Sequence, residues 1–315
     1  DVEGGRLLTA TPVEHIHGGV SLSGRQSGEG LFARGELKVD SAMIRGIQLA
    51  NLQGPYWFDG RQLVFGAFAD RDTKTGAPRQ VTARLLGGLL SLDGMLLSAD
   101  GTFDIQASLA NANLGEIGRE LAPHQPPSSG KVFGLVHVGG NGQGKHTWYG
   151  DGKISLREAD LYQLPAMITL LKLLSIQRPD STAFTNSNID FRIEGDDLAF
   201  ERIDFSGDAI SLKGKGRMNA QRQIDLKFYP LVGREERQLP IFRPLLGQTG
   251  QEFMLIEVTG SIDQPEITRT PFPRLDARLA QLFPELARDE SVAPKAPAKV
   301  TPREALNWLR LPSWR

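Results

Sequence analysis

The feature that most constrains this chain is a two-residue alternation of apolar and polar side chains between Asn188 and Val232. A β-strand turns successive side chains to opposite faces, so the pattern predicts a sheet with one apolar and one charged face. The residues expected on the apolar face are Ile189, Phe191, Ile193, Ile203, Phe205, Ile210, Leu212, Leu226 and Phe228.

Short strands and tight turns are expected along most of the chain. The sequence contains 35 glycines, and several follow an Asp where alternating runs meet, as at Asp93–Gly94 and Asp100–Gly101. Such dipeptides favour the reversals that join antiparallel strands. The sequence therefore predicts a mainly β fold, which the loop PHQPPSSG divides into segments at residues 1–125 and 126–288.

The charge balance argues against a nucleic-acid partner. Lys and Arg number 36 and Asp and Glu 37, for a net charge of -1, whereas nucleic-acid binding favours a basic excess. The absence of cysteine excludes structural disulfides and thiol catalysis. No run approaches the roughly 20 apolar residues that span a bilayer. A start at Asp1 rather than Met favours a piece of a longer protein.

An apolar helix is predicted at residues 165–176, where the alternation is interrupted. Pro165 suits a first helical turn, and Pro179 follows the end of the segment. Apolar side chains surround this helix on nearly every side, which predicts burial, and at ~1.5 Å per residue it is too short to cross a membrane. The residues expected to line the protein interior here are Met167, Ile168, Leu170, Leu171 and Leu174.

Two further helices are predicted near the C-terminus. An amphipathic helix is expected at residues 274–287, followed by a Pro/Ala-rich linker at residues 289–300. Residues 301–315 are expected to form an amphipathic helix, because Thr301 and Glu304 make a capping box at its start. Its candidate contacts to a membrane or to a partner protein are Trp308, Leu309, Leu311 and Trp314.

Residues that could carry catalysis or hold a metal are few. His15 and His17 fall short of the three or four protein ligands of a zinc site. The acids between Asp190 and Asp208 lack calcium-loop spacing. Neither a G-x-S-x-G nucleophile motif nor a phosphate-binding loop is present. The sequence therefore predicts no catalytic residue, no metal site and no cofactor, in a protein that is not an enzyme.

Four phrases, in order along the chain, resemble the C-terminal region of the AsmA-like family, whose relatives include TamB and YhdP. ARLLGGLLSLDG at residues 83–94 is similar to a glycine-centred strand pair of the family, with Leu86 where a Tyr is common. GTFDIQASLANANLGEI and GDGKISLREADLYQLPAMITLLKLLSI are similar to two further family segments, and VTGSIDQPEI resembles the closing one. The resemblance covers about residues 31–273.

The resemblance implies a bacterial protein of the periplasm, anchored in the inner membrane by a segment upstream of Asp1. Its sheet would curl into a long β trough, apolar inside and polar outside. The family resemblance further implies lipid transport and outer-membrane biogenesis, with possible envelope or outer-membrane protein partners. The apolar residues would then line a groove that binds phospholipid or another acyl lipid.

The residue pattern alone leaves alternatives open. The core of a β-sandwich would produce the same alternation. A second functional reading is a structural β module that serves as an assembly factor without lipid cargo. A third is an enzyme on a β scaffold, such as a glycan hydrolase, which would require two facing carboxylates in a cleft. Lipid that co-purifies with the protein would distinguish the lipid-binding function from the assembly factor without lipid cargo.

Overall fold

The structure, a computed structural model, describes residues 2–7, 13–27, 30–44, 46–70, 76–121, 129–159, 185–206, 210–232, 253–262 and 264–272. These residues form one sixteen-stranded sheet whose pairs are all antiparallel, with one α-helix, α1 (Leu114–Leu121). The strands are β1 (Val2–Leu7), β2 (Val13–Ser27), β3 (Gly30–Ile44), β4 (Ile47–Phe58), β5 (Gln62–Phe65), β6 (Val81–Leu85), β7 (Gly88–Leu97), β8 (Phe103–Asn113), β9 (Lys131–Gly140), β10 (Tyr149–Arg157), β11 (Asn186–Glu194), β12 (Asp197–Ser206), β13 (Ile210–Met218), β14 (Gln223–Val232), β15 (Phe253–Ser261) and β16 (Gln264–Phe272). The predicted mainly β fold is confirmed.

The order of strands in the sheet follows their order in the sequence. The single departure is that β5 and β6 lie end to end and together fill one position between β4 and β7. The boundary expected near residue 125 does not interrupt the sheet, because β8 and β9 pair from Phe103↔Gly140 to Asn113↔Lys131. Within the described residues, β1 and β16 each pair on one side only and form the two edges.

A buried carboxylate holds the junction between β5 and β6. Asp93 of β7 is 4% exposed. It accepts the backbone N–H of Ala67 at 2.6 Å and the side-chain amide of Gln80 at 2.5 Å. The prediction of a turn at Asp93–Gly94 is therefore wrong: both residues lie inside β7, and the Asp satisfies donors where the neighbouring strand breaks.

Exposed charges lie over the same junction. Arg79 pairs with Glu36 at 2.5 Å and with Asp70 at 3.2 Å, and Asp70 also pairs with Arg34 at 2.5 Å. The hydrogen bond that Arg79 donates to Glu36 is the main reason that the pKa of Arg79 is raised. These ion pairs link Asp70 and Arg79, in the connection between β5 and β6, to Arg34 and Glu36 of β3.

The two ends of the strands differ in how the chain reverses. At one end, here named the turn rim, the connections are short, as between Phe58 and Gln62. The Asp59 carboxylate there accepts the N–H groups of Gln62 and Arg61, which lower its pKa. At the other end, the loop rim, β8, β10 and β14 end and β9, β11 and β15 begin.

The short helix α1 lies at the loop rim and was not predicted from the sequence. It begins after Asn113, whose side-chain oxygen accepts the N–H of Gly115 at 2.8 Å. A short polar side chain that caps a first helical turn in this way is a recognised start signal. The predicted helices at residues 165–176, 274–287 and 301–315, and the linker at 289–300, lie outside the described residues.

Prolines within strands mark places where hydrogen bonding to one neighbour is missing. Pro55 of β4 lies at the gap between the segments that pair with β5 and with β6. Pro230 of β14 lies beyond Phe228, the last residue of that strand that pairs with β15. Because proline has no N–H, a strand tolerates it where no neighbour needs the donor.

The edge strand β16 carries two prolines that follow the same rule. Ser261 and Gln264 flank a two-residue turn, so they form its hydrogen-bonded closing pair. Hydrogen-bonded and non-bonded pairs alternate along antiparallel strands. Pro265 and Pro271 then occupy non-bonded positions, with their nitrogens on the free edge. They block strand addition there.

We expect the double variant Pro265→Thr/Pro271→Thr to associate through this edge, because it restores two outward N–H donors. The measurement is the molar mass by light scattering over a range of concentrations. The control variant Gln264→Thr/Thr270→Val alters positions whose backbone bonds β15 and should keep the parent mass. A double proline variant with the parent mass at every concentration would show that the prolines do not protect the edge.

Candidate functional site

The candidate site is the apolar face of the sheet, defined as the face that carries Ile189, Phe191 and Ile193 of β11. Directly opposite residues on antiparallel strands point to the same side. The register therefore carries this face across the neighbouring strands, through pairs such as Phe191↔Phe200 and Ile203↔Gly214. It brings together eight of the residues predicted from the sequence: Ile189, Phe191, Ile193, Ile203, Phe205, Leu212, Leu226 and Phe228.

The remaining predicted positions divide into two groups. Ile210 lies in β13, paired with Val232 of β14. The predicted groove residues Met167, Ile168, Leu170, Leu171 and Leu174, and the predicted contact residues Trp308, Leu309, Leu311 and Trp314, lie outside the described residues.

Sequence reasoning missed part of this face because the parity of the apolar residues changes within a strand. In β12 the apolar face holds Leu198 and Phe200 before it holds Ile203 and Phe205. One extra residue near Glu201 makes a β-bulge that absorbs the change. The sequence does contain a signal for this bulge: the apolar residues of β12 change from even to odd positions between Phe200 and Ile203. The other residues added to the face by the register include Leu90, Leu92, Ile105, Leu109, Val136, Val138, Ile154 and Leu156.

The apolar face is buried at some positions and half-exposed at others. On β13–β15, Leu212 and Ile256 are 0% exposed and Phe228 is 5% exposed. On β10–β12, Ile203 is 4% exposed, but most large side chains, such as Ile154, Phe191 and Phe205, are only half-buried. A packed sandwich would bury such residues in its core. Among the residues that the structure describes, no close-packed second layer therefore covers most of this face.

On the apolar face, several phenylalanines lie opposite glycines, so their rings can lie flat against the sheet. Phe191 pairs with Gly152, Phe228 with Gly214, Phe65 with Gly94 and Phe103 with Gly140. In the first three pairs, a Cβ on the glycine would overlap the opposite ring, and at Gly140 it would come within 3.1 Å. Each ring therefore lies against the sheet over the glycine, and large aromatic groups add little height to the surface. Phe228 also meets Phe205, with ring centroids 6.1 Å apart.

The opposite side of the sheet, here named the polar face, carries cross-strand ion pairs. Arg192 of β11 pairs with Glu201 of β12 at 2.9 Å, and Arg202 pairs with Asp190 at 3.0 Å. These pairs are exposed, so each contributes at most about 1 kcal/mol to stability. They join charged residues of adjacent strands within the sheet.

One polar side chain is buried on the apolar face. Ser187 lies between Leu156 and Phe205 and is 0% exposed. Its hydroxyl has no hydrogen-bond partner. A buried hydroxyl without a partner lowers the free energy of unfolding by about 1–3 kcal/mol. Near the loop rim, the apolar face therefore contains one hydrogen-bonding group that is not paired.

Within the described parts of the chain, no three His, Asp or Glu side chains are grouped so that they could hold a metal ion. His15 and His17 are both exposed. None of the helices that the structure describes has the length and apolar character to cross a membrane. No family model matches the chain, and no curated protein and no solved structure is significantly similar to it.

The glycine positions allow a direct test of the packing on the apolar face. We expect Gly214→Ala to destabilise the fold by about 1–3 kcal/mol, as overpacked sites do. The new Cβ would overlap Phe228, which is buried, and would lie 2.9 Å from the carbonyl oxygen of Lys227. The measurement is the midpoint of urea unfolding at an unchanged slope.

Gly134→Ala is the matched control on the same face. Its Cβ would lie 3.9 Å from the Cβ of Leu109, which is ordinary contact. We expect it to stay within about 0.5 kcal/mol of the parent. Equal midpoints for the two variants would mean that the ring of Phe228 does not lie over Gly214.

Proposed function

We propose that this chain is a lipid-binding or lipid-conducting segment of an AsmA-like protein, and that its apolar face lines a trough for acyl chains. The observation that carries the proposal is the continuous apolar face, on which most of the large side chains of β10–β12 remain half-exposed. Exposed apolar surface of this extent is rare on monomeric soluble proteins unless it binds something. A ligand of apolar chains would complete its burial.

The energetics favour a shielding surface. Moving an acyl chain into water costs about 0.8 kcal/mol per CH₂, so a tail of about sixteen carbons costs on the order of 12 kcal/mol. A carrier needs a long apolar lining and no chemistry in its walls. Fifteen strand positions at ~4.8 Å spacing give a path of roughly 70 Å along the sheet, several times the depth of one bilayer leaflet.

The glycines of the apolar face support the curved shape that the proposal needs. A sheet that bends toward one face crowds the side chains of that face, and glycine relieves the crowding. Gly152, Gly214 and Gly94 lie on this face, and aromatic rings fill the space above them. The bulges at β12 and β8 increase local bending and twist. Together these features favour a trough that is concave on the apolar side.

The proposed setting follows from the same family resemblance. The protein would lie in the periplasm, anchored in the inner membrane by a segment upstream, and would support phospholipid transport and outer-membrane biogenesis without catalysis. In this setting the polar face, with its paired charges, would contact water, and the apolar face would contact lipid.

A structural or assembly-factor role without lipid cargo is the second candidate, and one observation favours it. Phe32 on the polar face is 48% exposed and stacks on Trp57, with ring centroids 6.1 Å apart. Exposed aromatic side chains are enriched where proteins contact one another. In this role the polar face would bind an envelope protein partner and the apolar face would stay empty.

Photo-crosslinking tests the proposal. We expect a photoreactive amino acid at Phe191 or Leu226 to capture lipid in cells, because both positions are half-buried on the apolar face. The same probe at Arg192 or Lys227, the adjacent residues on the polar face, is the matched control and should capture little. Lipid at the control positions alone, or none in the purified chain by native mass spectrometry, would contradict a lipid-lined trough.

A further inference from the structure

Two cations lie side by side at the loop rim without an acidic partner among the described residues. Arg157 is the last residue of β10, and Lys131, directly opposite, is the first residue of β9. Like charges directly opposite one another on a sheet destabilise it. Neither residue makes an ion pair within the described part of the chain, although exposed Arg residues elsewhere on the polar face do.

Arg157 is also partly desolvated. Its side chain is half-buried, and its Nη2 donates to the neutral Oδ1 of Asn188 at 3.1 Å. Burial lowers the pKa of the guanidinium, with no carboxylate to offset it. The nearest acids in register are Glu158, the exposed next residue, and Asp204, beyond Asn188 on β12. A charged group held this way is stabilised by a bound counter-ion.

The backbone fixes the two cations relative to one another. Gly130, next to Lys131, has a φ of +133° and packs so closely on Ala159 that a Cβ would lie 2.7 Å from the Ala159 Cα. Ala159 is 1% exposed, and its N–H bonds the carbonyl oxygen of Thr185 at 2.9 Å. These contacts hold the ends of β9 and β10, which carry Lys131 and Arg157, close together.

We propose that Lys131 and Arg157 form a binding site for a phosphate group at the loop rim. The planar guanidinium of Arg157 suits two phosphate oxygens, and the ammonium of Lys131 supplies the second charge. The phosphate would be that of a lipid headgroup or a free phosphate. The headgroup reading rests on the proposed function. Arg157 lies on the polar face at the end of β10, so the tails would pass around the loop rim to the apolar face beside Leu156 and Ser187.

Titration of the whole chain with monomeric short-chain phosphatidic acid, and with diacylglycerol of the same tails, tests the site. We expect Lys131→Gln/Arg157→Gln to weaken phosphatidic acid binding about tenfold or more, the loss of one charge-assisted hydrogen bond, and to leave diacylglycerol binding unchanged. The control Lys38→Gln/Arg84→Gln removes two exposed cations of the polar face and should bind both lipids like the parent.

A second arm uses inorganic phosphate and follows the Arg157 side-chain resonances by NMR. Phosphate-dependent shifts at Arg157, without lipid binding, would uphold the phosphate site and contradict the proposed function. Lipid binding that the double variant leaves intact would contradict the site and uphold the function. An absence of any phosphate effect at Arg157 and of any loss in the double variant overturns the proposal.

Discussion

The register of hydrogen bonds between successive strands is the constraint on which the rest of this structure depends. Partners across antiparallel strands share a face, so each register passes the identity of the apolar face to the next strand. A shift of the register by one residue would move every side chain of a strand to the opposite face of the sheet. The sequence changes parity several times, and the chain absorbs each change locally. Asp40 lies opposite Asn51 between the paired residues of β3 and β4, and Asn111 lies in the irregular part of β8.

These irregular positions explain why some residues adopt an uncommon backbone. His15, Asn51 and Asn111 have φ values of 51°, 52° and 61°. Each lies where the pairing of its strand is interrupted, in β2, β4 and β8. Asn tolerates the left-handed region better than most residues. The local strain keeps the apolar residues on either side of the irregularity on one face of the sheet.

The sequence was sufficient to predict a mainly β fold and much of the apolar face on β11–β14, but not its continuation across β7–β10. Strict alternation identified Phe191 and Leu226, and the tight turn at Asp100–Gly101 followed from its dipeptide. Leu198 and Phe200 were missed because a bulge, which has no fixed sequence signature, separates them from Ile203. The prediction of a turn at Asp93–Gly94 was wrong because an Asp-Gly dipeptide occurs both in turns and, as here, where the carboxylate accepts donors at a break in the neighbouring strand. Lys131 and Arg157 are 26 positions apart in sequence, so only the register brings them together.

The single-layer arrangement also determines how the protein can use its apolar face. Each strand makes its principal contacts with its hydrogen-bonded neighbours, as in repeat proteins whose stability is a sum of neighbouring terms. Backbone ladders and polar-face pairs such as Arg202–Asp190 link adjacent strands without any contribution from a ligand. In the proposed function, the apolar face would therefore exchange its lipid while the strands stay paired. A sandwich lacks this freedom, because the second layer that buries its core also holds its strands in place.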